Sequence, residues 1–199
     1  MRTILKFAIV TALVAVMSIG AFAQAHEFAI TAGGNFPSND QLNPGASFAV
    51  GAQYDGRIFH VPLVALYVDV PLVVATKSTF HSPFVCIQTP CNATSIGYRS
   101  FFFTPGLKVT FGVPFIHPYL VGGVGFAHYN TTEDLAFGDN SSTKAAYSVG
   151  GGIDMKIFPY LSLRGEVRDF ISGTPDLAAI TASGHTHNVV PQAGLVFRF

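Results

Sequence analysis

Charge is scarce in this sequence, tryptophan is missing, and no apolar run beyond the N-terminus is long enough to form a membrane-spanning helix. Eleven basic and eleven acidic residues among 199 give a formal charge of zero. The charged fraction is 11% and the mean hydropathy is +0.42, whereas an ordinary soluble domain carries about 25% charged residues. Such a chain is too oily for an ordinary soluble domain. Its balanced charge also excludes a basic nucleic-acid binder and an acidic disordered tail. The best helical candidate, Val61 to Ala75, is interrupted by Pro62, Asp69 and Pro71, which a buried helix does not tolerate. What is abundant is Gly (20), Phe (19) and Tyr (7), not the Leu and Ala of a helical protein.

The N-terminus reads as a secretory leader. Arg2 and Lys6 precede an apolar stretch from Phe7 to Ile19, followed by Ala21-Phe22-Ala23 and Ala23-Gln24-Ala25. A basic region, an apolar region and A-x-A sites in that order describe a signal peptide over 1–25, cleaved after Ala23 or Ala25. The apolar stretch is shorter than the ~20 residues a spanning helix needs. One domain, 26–199, remains.

Within it the period is two. Tyr147, Val149, Gly151, Ile153, Met155 and Ile157 alternate with Ser148, Gly150, Gly152, Asp154 and Lys156. Leu161, Leu163, Gly165 and Val167 alternate with Ser162, Arg164, Glu166 and Arg168. Ala193, Leu195, Phe197 and Phe199 close the chain against Gln192, Gly194, Val196 and Arg198. The same parity runs through segments near Phe28, Phe48, Val64, Phe101 and Leu120, which makes eight strands. A soluble sandwich or lipocalin-like barrel also alternates, so the connections decide. Short breaks at Asp55-Gly56, a hairpin dipeptide, at Gly112 to Pro118 and at Phe158-Pro159 alternate with polar loops at about 37–45, 77–98, 130–143 and 172–187. An even strand number with short turns at one end and long loops at the other predicts an eight-stranded antiparallel up-and-down transmembrane β-barrel.

Charge placement agrees. Asp69, Lys108, Asp154, Lys156, Arg164, Glu166, Arg168 and Arg198 share the small, polar parity, and Asp169 is the exception on the other face. These eight are expected to form a charge network filling the lumen, which at eight strands is just wide enough for side chains. Gly122-Gly123 and Gly150-Gly151-Gly152 are expected to relieve crowding in that interior, since no helix follows either run to cradle a phosphate. Pro71 and Pro105 each remove a ladder donor. Parity puts Pro71 inward and Pro105 outward, so local bulges or strand sections beyond the hydrocarbon zone are expected there.

The alternating Leu195, Phe197 and terminal Phe199 resemble the C-terminal signal read by the barrel-assembly machinery. The segments 118–126, 150–156 and 161–168 resemble the OmpA-like family of small outer-membrane barrels, over essentially the whole mature chain. The resemblance implies insertion in a Gram-negative-type outer membrane, with both termini periplasmic and four loops outside. Two features depart from the family: the girdles lack Trp, and no C-terminal peptidoglycan-binding domain follows.

Cys86 and Cys91, in the longest loop, read as a disulfide in an oxidising compartment. His185 and His187 share parity, with His128 at the preceding loop, yet read as solvated loop residues, and no metal site is expected. No nucleophile–base pair stands at recognisable spacing, so no catalytic residue, cofactor or nucleic-acid partner is expected. The expected role is structural or surface-interacting, with outer-membrane lipid, the assembly machinery and a loop-bound surface ligand as partners. A narrow OmpW-like conduit is the alternative, and an envelope lipid-modifying enzyme a more distant one.

Overall fold

The computed structural model describes residues 25–39, 45–81, 95–131, 141–174 and 184–199. The leader residues 1–24, Cys86 and Cys91 lie outside the described residues. Nine strand segments follow one another: β1 (His26–Ser38), β2 (Ser47–Val61), β3 (Val64–His81), β4 (Ser95–Phe103), β5 (Gly106–Phe111), β6 (Ile116–Thr131), β7 (Ser141–Phe158), β8 (Leu161–Gly173) and β9 (His185–Arg198). Every pairing is antiparallel, and β1 pairs with both β2 and β9, so the sheet closes on itself. Closure leaves no unpaired sheet edge.

Segments β4 and β5 are halves of a single stave, which makes eight. Leu72 pairs with Phe103 and Asp69 with Gly106, three residues apart on both strands. On the other side Phe126 pairs with Phe103 and Gly123 with Gly106, so the register is unbroken. The gap at Thr104-Pro105 lies beside Pro71, where two residues without an amide hydrogen meet across one ladder. Local bulges or strand sections beyond the hydrocarbon zone are the expectation at these prolines. Instead the ladder skips two positions without shifting, and Pro105 still accepts a hydrogen bond on its carbonyl from the Val124 amide (3.1 Å). Bulges occur elsewhere: at Arg57/Phe59, Ala75/Ser78 and Lys156/Phe158.

The Asp55-Gly56 dipeptide is not a turn. Strand β2 runs five residues further, to Val61, and the connection is Pro62-Leu63. A turn dipeptide ends a strand only where its side chains have no better partner. Asp55 is fully buried with cations inside the barrel. Strands also extend further into the long loops than alternation suggests: β3 to His81, β6 to Thr131 and β9 from His185.

Parity is the one expected. Phe28, Ile30, Phe48, Val50, Leu107, Leu120, Val124, Tyr147, Val149 and Val167 stand on the outer surface, each at least 38% exposed. The buried residues face inward and are more often polar than apolar. This is the inverse of a soluble domain, in which charged residues are almost never fully buried unless paired.

Candidate functional site: the filled lumen

The inward faces build two stacked layers. Nearer the short turns lies a charged layer centred on Arg164. Its guanidinium donates to both oxygens of Asp154 on the neighbouring strand (Nε–Oδ1 2.8 Å, Nη2–Oδ2 2.9 Å). It also reaches across the barrel to Asp55 Oδ2 (3.1 Å) and Glu27 Oε2 (3.2 Å). Lys108 donates to the same Glu27 oxygen (2.7 Å) and to Asp55. Its ammonium also lies 4.8 Å from the Tyr67 ring centre and 5.3 Å from that of Tyr119. Arg198 closes the layer on Glu27 Oε1 (2.9 Å) and Asp154 Oδ2 (3.3 Å).

A second cluster forms around Glu166, which accepts from Arg168 Nε (2.9 Å), Gln192 (2.7 Å), Tyr119 (2.7 Å) and Gln53 (3.0 Å). Arg168 also donates to Asp69 Oδ2 (2.9 Å). The two clusters are joined by Gln53, whose amide nitrogen serves Glu166 while its carbonyl accepts from Arg164 (2.8 Å). Bidentate and charge-assisted bonds of this kind are the strong ones. Charges removed from water persist only when each is compensated in this way.

Toward the long loops the filling changes to aromatics. Phe102 and Phe170 stack with ring centres 4.6 Å apart, Tyr129 meets Phe102 edge-on at 6.2 Å, and Tyr98 packs on Tyr129. Ala49, Val73, Ala75, Ala127, Ala146 and Val190 complete this cluster. The Tyr129 hydroxyl is hydrogen-bonded to Ser172 (2.6 Å), so the plug leaves no phenol unsatisfied. Phe102, Phe170, Arg164 and Arg168 are at most 2% exposed.

Seven of the eight charges read from alternation come together here: Asp69, Lys108, Asp154, Arg164, Glu166, Arg168 and Arg198. Lys156 does not join them; it is exposed, and no ion pair involves it among the described residues. Parity specifies a face but not a depth, and Lys156 lies one inward step beyond Asp154, where the barrel opens to water. Sequence reasoning missed Glu27, Asp55, Gln53 and Tyr119. Extending the inward parity of β1 and β2 by one step would have found both acids. The outward Asp169 is matched by the outward His187, hydrogen-bonded at 2.7 Å. His185 lines the same loop-end pocket as His187, and no group of three or more metal-ligating side chains occurs among the described residues.

Leu195, Phe197 and Phe199 all face outward, 40–55% exposed. Leu195 and Phe197 pair with Ile30 and Phe28 of β1. The Phe199 amide and carbonyl both bond His26 (3.0 and 3.1 Å). The last residues of the chain are thus the seam that closes the barrel.

No family model matches the chain, and no curated protein matches it at a significant level. Solved structures do. Neisserial surface protein A (NspA) is similar with a TM-score of 0.60 and 16% identity, covering 87% of this chain and 96% of that one. The outer membrane protein OprG from Pseudomonas aeruginosa is similar with a TM-score of 0.50 and 15% identity, covering 88% and 97%. The outer membrane enzyme PagL is matched at a TM-score of 0.49 and 12% identity, covering 88% and 100%. The fold is that of the small outer-membrane barrels: a closed, eight-stranded antiparallel barrel.

Proposed function

We propose that this chain is an integral outer-membrane protein whose lumen is sealed by side chains and whose role, structural or surface-interacting, is exerted through the long loops. The observation behind this reading is the inversion of the barrel, with apolar side chains outside and a paired charge network within. A barrel inserted in hydrocarbon needs an apolar outer belt and no open edge. Aromatic side chains near the short turns, Tyr54, Phe158, Tyr160 and Phe199, fit the interfacial girdle of such a barrel without tryptophan. The short turns and both termini are then periplasmic, and the leader 1–25 is cleaved on export.

The outward Leu195-x-Phe197-x-Phe199 edge is the segment the assembly machinery would engage, and outer-membrane lipid is the surrounding partner. Cys86 and Cys91 would close a small disulfide loop outside the cell. The role is non-catalytic, since the lumen carboxylates are all consumed by cations or amides.

Two measurements test the proposal together. Refolded protein is expected to migrate differently with and without boiling on a denaturing gel, and to give no unitary conductance in planar bilayers. Reproducible single-channel steps would replace the sealed barrel with a conduit. Identical migration and full solubility without detergent would replace the membrane barrel with a soluble one.

A further inference from the structure

The barrel end that carries the short turns opens into a cup, and we infer that this cup binds a small oxyanion, a phosphate or carboxylate group presented from the turn side. The cup has a volume of about 360 Å³, and its lining includes Arg57, His60, His117 and Arg198, with Tyr67 and Thr110 as neutral donors. Volumes of this order suit a small ligand. The Lys108–Glu27–Arg164 layer forms its floor, so the cup is blind.

The formal charge of its lining is positive on balance, Arg57 and Arg198 against Glu27. Glu27 is the single acid in the lining, and it already accepts from Lys108, Arg164 and Arg198. The Arg57 guanidinium has no carboxylate within ion-pair distance among the described residues, and Arg198 uses only Nε and Nη2 on its acids. His117 Nδ1 is buried without a hydrogen-bond partner. The two guanidinium groups keep N–H donors without acceptors, gathered in a concave site with low-dielectric walls, which focuses the field on an entering anion. Guanidinium groups match the geometry of phosphate and carboxylate oxygens. A cation would meet only repulsion and an acid already saturated.

The cup depends on a local device in β2. Arg57 stands opposite Tyr67 and His60 opposite Ala65, both inward positions, because the bulge at Ile58 inserts one residue between them. Without it, alternation would send His60 to the outer surface. Bulges at barrel rims re-aim side chains in this way.

The test is calorimetric titration of the refolded chain in an uncharged maltoside detergent, using inorganic phosphate and, separately, dihexanoyl phosphatidic acid. One saturable site for inorganic phosphate is expected, weakened at least tenfold by Arg57→Gln and unchanged by Lys144→Gln at the opposite end. Tighter binding of the short lipid would identify a headgroup as the source of the phosphate; equal or weaker binding would identify a free anion. Either supports the site. Absence of saturable binding by both probes, or an affinity indifferent to Arg57→Gln, would overturn it. Heat-modifiable migration of the same samples reports folding separately. Should Arg57→Gln not refold, His60→Ala at the exposed rim supplies the second readout, expected to weaken binding at least threefold.

Discussion

Asp55 of β2 stands directly opposite Asp69 of β3 inside the barrel, two fully buried carboxylates in register on neighbouring strands. They are divided between different cations: Asp55 is held by Lys108 and Arg164, and Asp69 by Arg168. The lumen as a whole sets Glu27, Asp55, Asp69, Asp154 and Glu166 against Lys108, Arg164, Arg168 and Arg198. Acids exceed cations by one, which makes the network asymmetric toward mutation.

Removing a cation is therefore expected to hurt more than removing one acid of the facing pair. Lys108→Met strips compensation from both Glu27 and Asp55 and should cost about 3–5 kcal/mol, as for other broken buried pairs. Asp55→Asn relieves a like-charge contact across the strands and should shift stability by less than about 1 kcal/mol. Urea midpoints of refolded protein in detergent compare the two directly. A larger loss for Asp55→Asn would show that the excess carboxylate is not the strained member.

The two lumen layers are expected to seal independently. Phe170→Ala removes the ring stacked on Phe102 and should cost about 3–5 kcal/mol through cavity formation. It should leave planar bilayers silent, because the Arg164 and Arg168 clusters still close the passage below. Conductance is expected only when Phe170→Ala is combined with Glu166→Ala and Arg168→Ala. Steps from the single variant would place the whole barrier in the aromatic plug.

Strand spacing sets a contrast between two glycines. A methyl group at Gly125 would run into the Phe103 carbonyl and the backbone of Thr104, whereas one at Gly165 meets nothing within 4 Å. Gly125→Ala should destabilise by about 1–3 kcal/mol, the usual cost of overpacking. Gly165→Ala should be neutral or stabilising by up to about 1 kcal/mol through a less flexible unfolded chain. Equal effects in denaturant titrations would mean that the two staves are not held so close.

Asp169 and His187 face away from the lumen and are hydrogen-bonded at 2.7 Å, the histidine about half exposed. A double-mutant cycle with His187→Ala and Asp169→Asn should give a coupling below about 1 kcal/mol, as for other partly exposed pairs. The double variant is expected to be more stable than His187→Ala alone, which leaves Asp169 unpaired on the apolar side. A double variant no more stable than His187→Ala alone would remove the pair as the explanation for an outward charge.

Much of this architecture was legible in the chain. Alternation assigned Arg164, Glu166 and Arg168 inward and Leu163, Val167 and Phe197 outward, because a strand has a side-chain period of two and each face meets a different medium. Turn chemistry was less dependable. Asp55-Gly56 has the composition of a hairpin, but the ion pairs of Asp55 exist only once β5 and β8 stand across the barrel from it. The prolines gave the same lesson in reverse. Pro71 and Pro105 looked like separate interruptions and are one shared gap, because β3 and β5 are neighbours.

By itself the sequence determined parity, and with it the strand number, the oily exterior and which charges turn inward, since these follow from local backbone geometry. Only the tertiary structure decided depth and partnership. It placed Lys156 in water and Asp154 in the network, joined Glu27 to Arg198 across the closing seam, and left Arg57, His117 and Arg198 around one cup. Those relations arise from the curvature and register of closure, which bring together residues far apart in the chain.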